Sequence, residues 1–233
     1  MRILASPMSY LLTWIYDFIG NYGLALIIFT IIVKVVMYPL YAKQIKTTIN
    51  MTKMQPKIKE IQQKYARDKV MMNEKMAELY KEEGGSMYGG CLPMLVQMIV
   101  IMGLFSLLRN PMNYISSDKM LFAIHESFFW IPDLAQPDKW ILPIIAGIAT
   151  FLATYFSQTN QAAGPNADQM KVMTNMMRYV FPIMILLMAR SYPAGLALYW
   201  SLNQIIQIFY NLRFAKMKKK LMGDGKKKKA ARA

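Results

Sequence analysis

Apolar residues gather into five long runs along this chain, near 18–41, 87–108, 139–158, 175–190 and 193–213. A membrane crossing takes about 20 predominantly apolar residues to traverse roughly 30 Å of hydrocarbon. The runs therefore predict five transmembrane helices and an all-α polytopic membrane protein. The fourth is the shortest, because only the eleven residues "YVFPIMILLMA" separate Arg178 from Arg190. At about 1.5 Å per residue they cover roughly 17 Å, so this helix snorkels its arginines, packs inside the protein or sits in a thinned bilayer.

The polar pattern divides the rest: 1–17 as an extracytoplasmic N-terminal segment, 42–86 as a hydrophilic insertion, 109–138 as an outer loop, 159–174 as an inner loop and 214–233 as a tail. Within the insertion, Ile58, Ile61 and Tyr65, then Met72, Met76, Leu79 and Tyr80, recur at helical spacing. Pro56 suits a first helical turn, and Gly84–Gly85 suits a stop. Two amphipathic helices, about 57–67 and 70–83, are predicted as a hairpin turning near Arg67–Asp68 at the inner surface.

One charge interrupts the pattern. In "FTIIVKVVMYPL" (29–40), Lys34 follows ten uncharged residues and precedes six more. Its backbone lies roughly 9 Å from the inner boundary at about 1.5 Å per residue. A lysine stem can snorkel that far, but an ionisable group within a span more often faces a bundle interior or a water-filled cavity. Other runs offer matching polar groups. Gln97 lies in the second, and Thr150, Thr154 and Gln158 recur at four-residue spacing in the third. In the fifth, "LALYWSLNQIIQIFYNL", Asn203, Gln207 and Asn211 form one stripe, with Gln204 beside it and Trp200 on the same side. Two readings stand for the stripe: interhelical hydrogen bonds, worth about 0.6 to 2 kcal/mol each, or the lining of a hydrated concavity.

Charge then sets orientation. The formal net charge is +15, from 28 Lys and Arg against 13 Asp and Glu, in a chain of 233 residues that is 55% hydrophobic. With five spans, one side holds ten Lys/Arg in 42–86, two in 159–178 and ten from 213 onward, whereas the other holds Arg2, Arg109, Lys119, Lys139 and Arg190. Cytoplasmic loops retain Lys and Arg, so the N-terminus is expected outside and the C-terminus inside. The tail, "RFAKMKKKLMGDGKKKKAARA", is polybasic with Gly225 as a break. It suits either an anchor to anionic lipid or a dock on ribosomal RNA.

Candidate chemistry is sparse. Cys91 has no intramolecular disulfide partner, and with His125 as the sole histidine no zinc set is available. Glu60, Glu74 and Glu78 occupy exposed helical positions, and neither a hydrolase set nor a phosphate loop occurs. No enzymatic activity and no cofactor are expected. The outer stretch "HESFFWIPDLAQPD" is dense in aromatics that suit a membrane interface or a plain packed loop. The opening "MRILASPMSYLLTWIYDF" lacks a clear cleavage site, so the first span acts as the insertion signal or a signal has been removed.

Four stretches in order, "NYGLALIIFTIIVKVVMYPL", "GGCLPMLVQMIV", "FFWIPDLAQPDKWILPIIAG" and "YPAGLALYWSLNQIIQI", resemble the signatures of the YidC/Oxa/Alb membrane protein insertases, in the short form of Gram-positive bacteria. The resemblance covers about 21–213. It implies five helices around a hydrophilic groove that is open to the cytoplasm and lipid, closed to the outside and capped inside by the hairpin. It also implies a bacterial plasma-membrane location and, as partners, nascent membrane proteins, anionic lipids, the ribosome through the basic tail and the Sec translocon. Lys34 stands where the family usually has arginine. A lysine is a more strongly hydrated point charge without arginine's bidentate fork, so its electrostatic role is expected to carry over and any fork-dependent role is not. Ser86 and Met87 stand where Asn-Pro usually precedes "GGC".

The combined expectation is a groove in which Lys34 attracts acidic residues of an incoming segment, Gln97, Asn203, Gln204 and Gln207 sustain water, and Trp200 borders the wall. A small channel or transporter with a hydrated cationic cavity is the alternative, although no repeat relates the two halves as is frequent in transporters. A membrane scaffold that recruits RNA or lipid through its tail is a third.

Overall fold

The computed structural model describes the backbone of residues 2–82, 92–115, 117–158, 172 and 174–230, and these are helical almost throughout. Gly84–Gly85, Ser86, Met87, Cys91 and the inner loop 159–171 lie outside the described residues.

The first helix, α1 (Arg2–Ile19), was not anticipated from sequence. Ala5, Leu12, Ile15 and Tyr16 are buried on one side while Tyr10, Trp14 and Phe18 are exposed on the other. Ser6 and Asp17 share the exposed side with these aromatics, so the helix is amphipathic within the segment that the polar pattern set apart as 1–17. Gly20, at φ +69°, ends the helix and donates to the Tyr16 carbonyl at 2.7 Å. Asn21 then caps α2 (Tyr22–Lys64), its side chain accepting from the Leu24 backbone N–H at 3.0 Å. The first span thus starts at residue 22 rather than 18.

At 43 residues, α2 is about 64 Å long, twice what a bilayer requires. It passes Pro39 and Pro56 without ending, so the first hairpin helix continues the span instead of starting anew at 57. Tyr65 closes α2, and the Asp68 side chain accepts from Val70 and Met71 N–H at 3.1 and 3.0 Å to start α3 (Lys69–Glu82). Met54, Ile58, Met76, Leu79 and Tyr80 form a small hydrophobic core between α2 and α3, separate from the main one.

The main bundle adds α4 (Leu92–Arg109), the short α5 (Asp118–Ala123) in the outer connection, α6 (Ile141–Gln158), α7 (Phe181–Ala189), preceded by a π turn at Met176–Val180, and α8 (Ala194–Ala230). The last extends the fifth predicted span through the basic tail and past Gly225, because elongating an existing helix needs no new nucleus. Among the described residues only Tyr22–Lys43 is both long and apolar enough to cross a membrane unaided; Met98–Arg109, Ile141–Ser157 and Met176–Ala189 are shorter apolar helices. Outward stripes such as Ile141, Ile144, Ile148, Leu152 and Tyr155 on α6 stay exposed. A bundle apolar on its outside fits a lipid solvent.

The outer connection closes one end. Three helices, α2, α6 and α8, begin there with unpaired N–H groups and positive dipole ends. Glu126 accepts from the Tyr22 N–H at 2.7 Å and the Tyr16 hydroxyl at 2.6 Å. The carbonyls of Gln136 and Leu134 accept from Ala194 and Gly195 N–H, each at 2.9 Å. Phe128, in a tight turn with Ile131, lies against Gly23, where any side chain would overlap its ring. Asp138 serves α6, accepting from Trp140 N–H at 3.1 Å, Leu142 N–H at 2.9 Å and the Trp130 indole at 3.2 Å. Partial burial alone would raise its carboxyl, but these donors outweigh burial and hold it below the ordinary aspartate value.

A depressed folded-state value means that Asp138 stabilises the fold above its unfolded pKa of about 3.9 and ceases to do so as pH falls through the folded value. Thermal unfolding in detergent is expected to show Asp138→Ala less stable than wild type by about 0.5 to 2 kcal/mol at pH 7. That gap should close as the pH is taken below about 4.

Candidate functional site

The stripe on α8 and the charge on α2 meet inside the bundle. Lys34 is 2% exposed, and its Nζ lies 3.2 Å from Oε1 of Gln207 and 3.5 Å from the Tyr41 hydroxyl. The ammonium therefore neither enters the lipid nor snorkels free to the headgroups. No carboxylate of the described residues pairs with it; the ion pairs found join Lys75 to Glu78, Lys119 to Asp17 and His125 to Asp133 at or near the surface.

From Gln207 the polar row continues. Its Nε2 donates to Asn211 Oδ1 at 3.2 Å, and Asn211 Nδ2 donates to the Ala153 carbonyl of α6 at 2.9 Å. Asn211 thus performs the interhelical bonding that was one reading of the stripe. Trp200, also on this face, donates its indole N–H to Thr150 Oγ1 at 2.9 Å, while the Thr150 and Thr154 hydroxyls turn back to carbonyls of their own helix. Asn203 is 4% exposed and its Oδ1 has no partner among the described residues, which leaves a buried acceptor for water. Gln204 is half-buried one residue on, and none of the hydrogen bonds described above joins it to the Lys34 set. Gln97 belongs to α4, but its side chain lies outside the described residues.

Outward of Lys34 the bundle is sealed. Thr30, one turn earlier on α2, returns its hydroxyl to the Leu26 carbonyl at 2.7 Å, and Leu26, Phe29 and Tyr199 are buried around it. Sideways, Trp200 marks a boundary. One edge of its ring joins the polar row, and the ring itself lines a partly open apolar cleft between α4, α7 and α8, with Ile101, Phe105, Ile185, Met188 and Leu196.

Tyr41 and Tyr210 are not among the residues that the polar pattern predicts. The spacing held the signal: Tyr41 is seven residues from Lys34 and Tyr210 three from Gln207, which puts each on its partner's face.

Residues 14–221 match the family model described as "60Kd inner membrane protein". Over 208 residues the chain is 39% identical to a "Membrane protein insertase YidC" of Fusobacterium nucleatum, covering 89% of this chain and 92% of the relative. It is 38% identical over 216 residues to the protein of that name from Oceanobacillus iheyensis, covering 90% of this chain and 81% of the other. Among solved structures it resembles one titled "Active YidC insertase crystal structure with the first transmembrane domain resolved", with a TM-score of 0.58 and 30% identity, over 87% of this chain and 44% of that one.

Because a hydrogen bond to a charged group contributes about 1.5 to 3 kcal/mol, Gln207→Leu is expected to destabilise the bundle by roughly that amount. Asn203→Leu, which removes an unpartnered acceptor, should be neutral or stabilising. Chemical denaturation of both variants in the same detergent checks the contrast.

Proposed function

The chain belongs to the YidC/Oxa/Alb family of membrane protein insertases, and from that premise we propose that it takes nascent transmembrane segments into the recess around Lys34 and releases them sideways into the bilayer of a bacterial membrane. The work is done by binding and hydration, with no bond-making chemistry by this chain. Five helices, α2, α4, α6, α7 and α8, act as the spans, with the N-terminus outside and the C-terminus in the cytoplasm. The excess of Lys and Arg on the inner side supports that orientation.

The observation that carries the reading is the state of Lys34: an ammonium buried among neutral acceptors. A buried charge without a counter-charge costs several kcal/mol. The site therefore favours an anion delivered from elsewhere, and acidic residues in the translocated part of a substrate supply one. Moving such a charge to a helix centre costs about 2.5 to 3.5 kcal/mol on insertion scales, and a cation with water partway along the path offsets part of it.

The other residues divide the task. Asn203 and Gln207 supply polar atoms for the recess, and Gln97 and Gln204 are assigned the same part. Trp200 separates that polar row from the apolar cleft, so a segment can keep its polar end on one side and its apolar face on the other. The short α7, about 14 Å long, thins the barrier that remains. The hairpin has its own small core and joins the bundle through α2, which suits a mobile lid or substrate contact at the inner surface. Anionic lipid and the ribosome are the partners assigned to the basic end of α8, with the Sec translocon as a cooperating complex.

In proteoliposomes at matched expression, Lys34→Ala should lower insertion of a substrate with an acidic translocated segment about tenfold, equivalent to about 1.4 kcal/mol, and Lys34→Arg should not. Equal insertion by all three versions contradicts the reading. Deleting 57–83 should reduce insertion while the bundle remains membrane-embedded and protease-resistant; loss of embedded protein would instead assign the hairpin a structural part.

A further inference from the structure

The ammonium of Lys34 is covered from the inner side by a pair of tyrosines. Side chains on a helix lean toward its N-terminus, which sends the Tyr41 ring back toward Lys34 while the lysine stem reaches inward to meet it. The ammonium nitrogen ends 3.5 Å from the phenol oxygen and 5.2 Å from the ring centroid. Tyr210 of α8 braces this arrangement. Its ring lies 5.6 Å from that of Tyr41 and 6.0 Å from that of Tyr38, and its hydroxyl donates to the Lys34 carbonyl at 3.4 Å. Tyr41 is buried like Lys34, whereas Tyr38 at the same mouth is exposed. The outer approach is closed by Thr30, Phe29 and Leu26, so entry to the ammonium from the inner side passes Tyr41.

A neutral phenol at 3.5 Å is a weak partner for a buried cation, and a carboxylate is a strong one. The Tyr210 ring rests against that of Tyr41 at a tilt of 53°. The cover buries the charge, and it gives the ammonium less than an anion at the same place would. We propose that Tyr41, braced by Tyr210, is a displaceable cover that selects among incoming segments by charge. A carboxylate takes the place of the phenol at the ammonium, whereas an uncharged segment gains nothing by displacing it. This rests on the insertase reading and adds two specificity-determining residues to it.

The test uses the full chain in proteoliposomes, treated with a water-soluble amine-acylating reagent, with acylation of Lys34 read by mass spectrometry against that of the exposed Lys59. Apparent reactivity follows the fraction of time the cover is open, so the Lys34/Lys59 ratio should be low in wild type, about tenfold higher in Tyr41→Ala, raised in Tyr210→Ala and unchanged in Tyr41→Phe, which keeps the ring. In the same vesicles a single-span substrate is supplied with either Asp or Asn in its translocated segment. Without the cover, the Asn form no longer has to displace anything, so the Asp-over-Asn insertion ratio should fall at least about twofold in Tyr41→Ala. An unchanged acylation ratio in both alanine variants, or a wild-type Lys34 as reactive as Lys59, overturns the proposal. So does an equal drop for both substrates, which marks a purely structural tyrosine. Failure of the insertase reading is separate: Lys34→Ala would then insert the Asp form as well as wild type does, whatever the acylation shows.

Discussion

An ammonium held between two helices by an amide and a phenol, at 3.2 and 3.5 Å, organises the inside of this bundle. Lys34 cannot be there cheaply, and the neighbouring helices are arranged around its needs. Polar atoms on α8 face it along one row, the threonines of α6 back that row, and an apolar plug closes the bundle on its outer side. Replace the lysine by leucine in thought and the row on α8 loses its reason for lying next to α2, although Asn211 would still tie α8 to α6.

The bundle's polarity has a second source, at its outer end. Three helices start there, and acidic side chains or carbonyls of the outer connection meet their N-termini: Glu126 at α2, Asp138 at α6, and Gln136 and Leu134 at α8. Acid at positive helix ends is favourable, and it draws a loop of 30 residues into a tight cap over the core. Positive charge gathers at the opposite end. A bundle capped at its outer end, with a polar row inside, follows from these two placements, and that asymmetry suits an insertase that receives a segment from one side.

Much of this was legible in the sequence. The apolar run with a single lysine at 34, the amide stripe on the last span and the two apolar faces of the hairpin each announce themselves by spacing. What escaped did so for identifiable reasons. The amphipathic α1 lay within 1–17, set apart as a polar segment, and the break at Gly20 and Asn21 disappeared into the apolar run from 18. Pro56 reads as a helix start by local rules, but α2 continues past it. Tyr41 and Tyr210 drew no reading from the sequence; the structure brings the first to the Lys34 ammonium and the second to the Lys34 carbonyl and the Tyr41 ring. Contacts between α2 and α8 join residues more than 170 positions apart, as in Lys34 to Gln207, and no local pattern encodes them.

The central claim is that incoming polypeptide occupies the recess around Lys34 between α2 and α8. It is tested most directly by photo-crosslinking from Gln97, Trp200 and Gln204 to a ribosome-bound nascent membrane protein, with the exposed, outward Ile148 of α6 as reference. The account predicts adducts from these three positions that appear when the nascent span emerges and fade as it enters the bilayer, with little from Ile148. Adducts of equal strength from Ile148, or none from the three positions at any chain length, would contradict it.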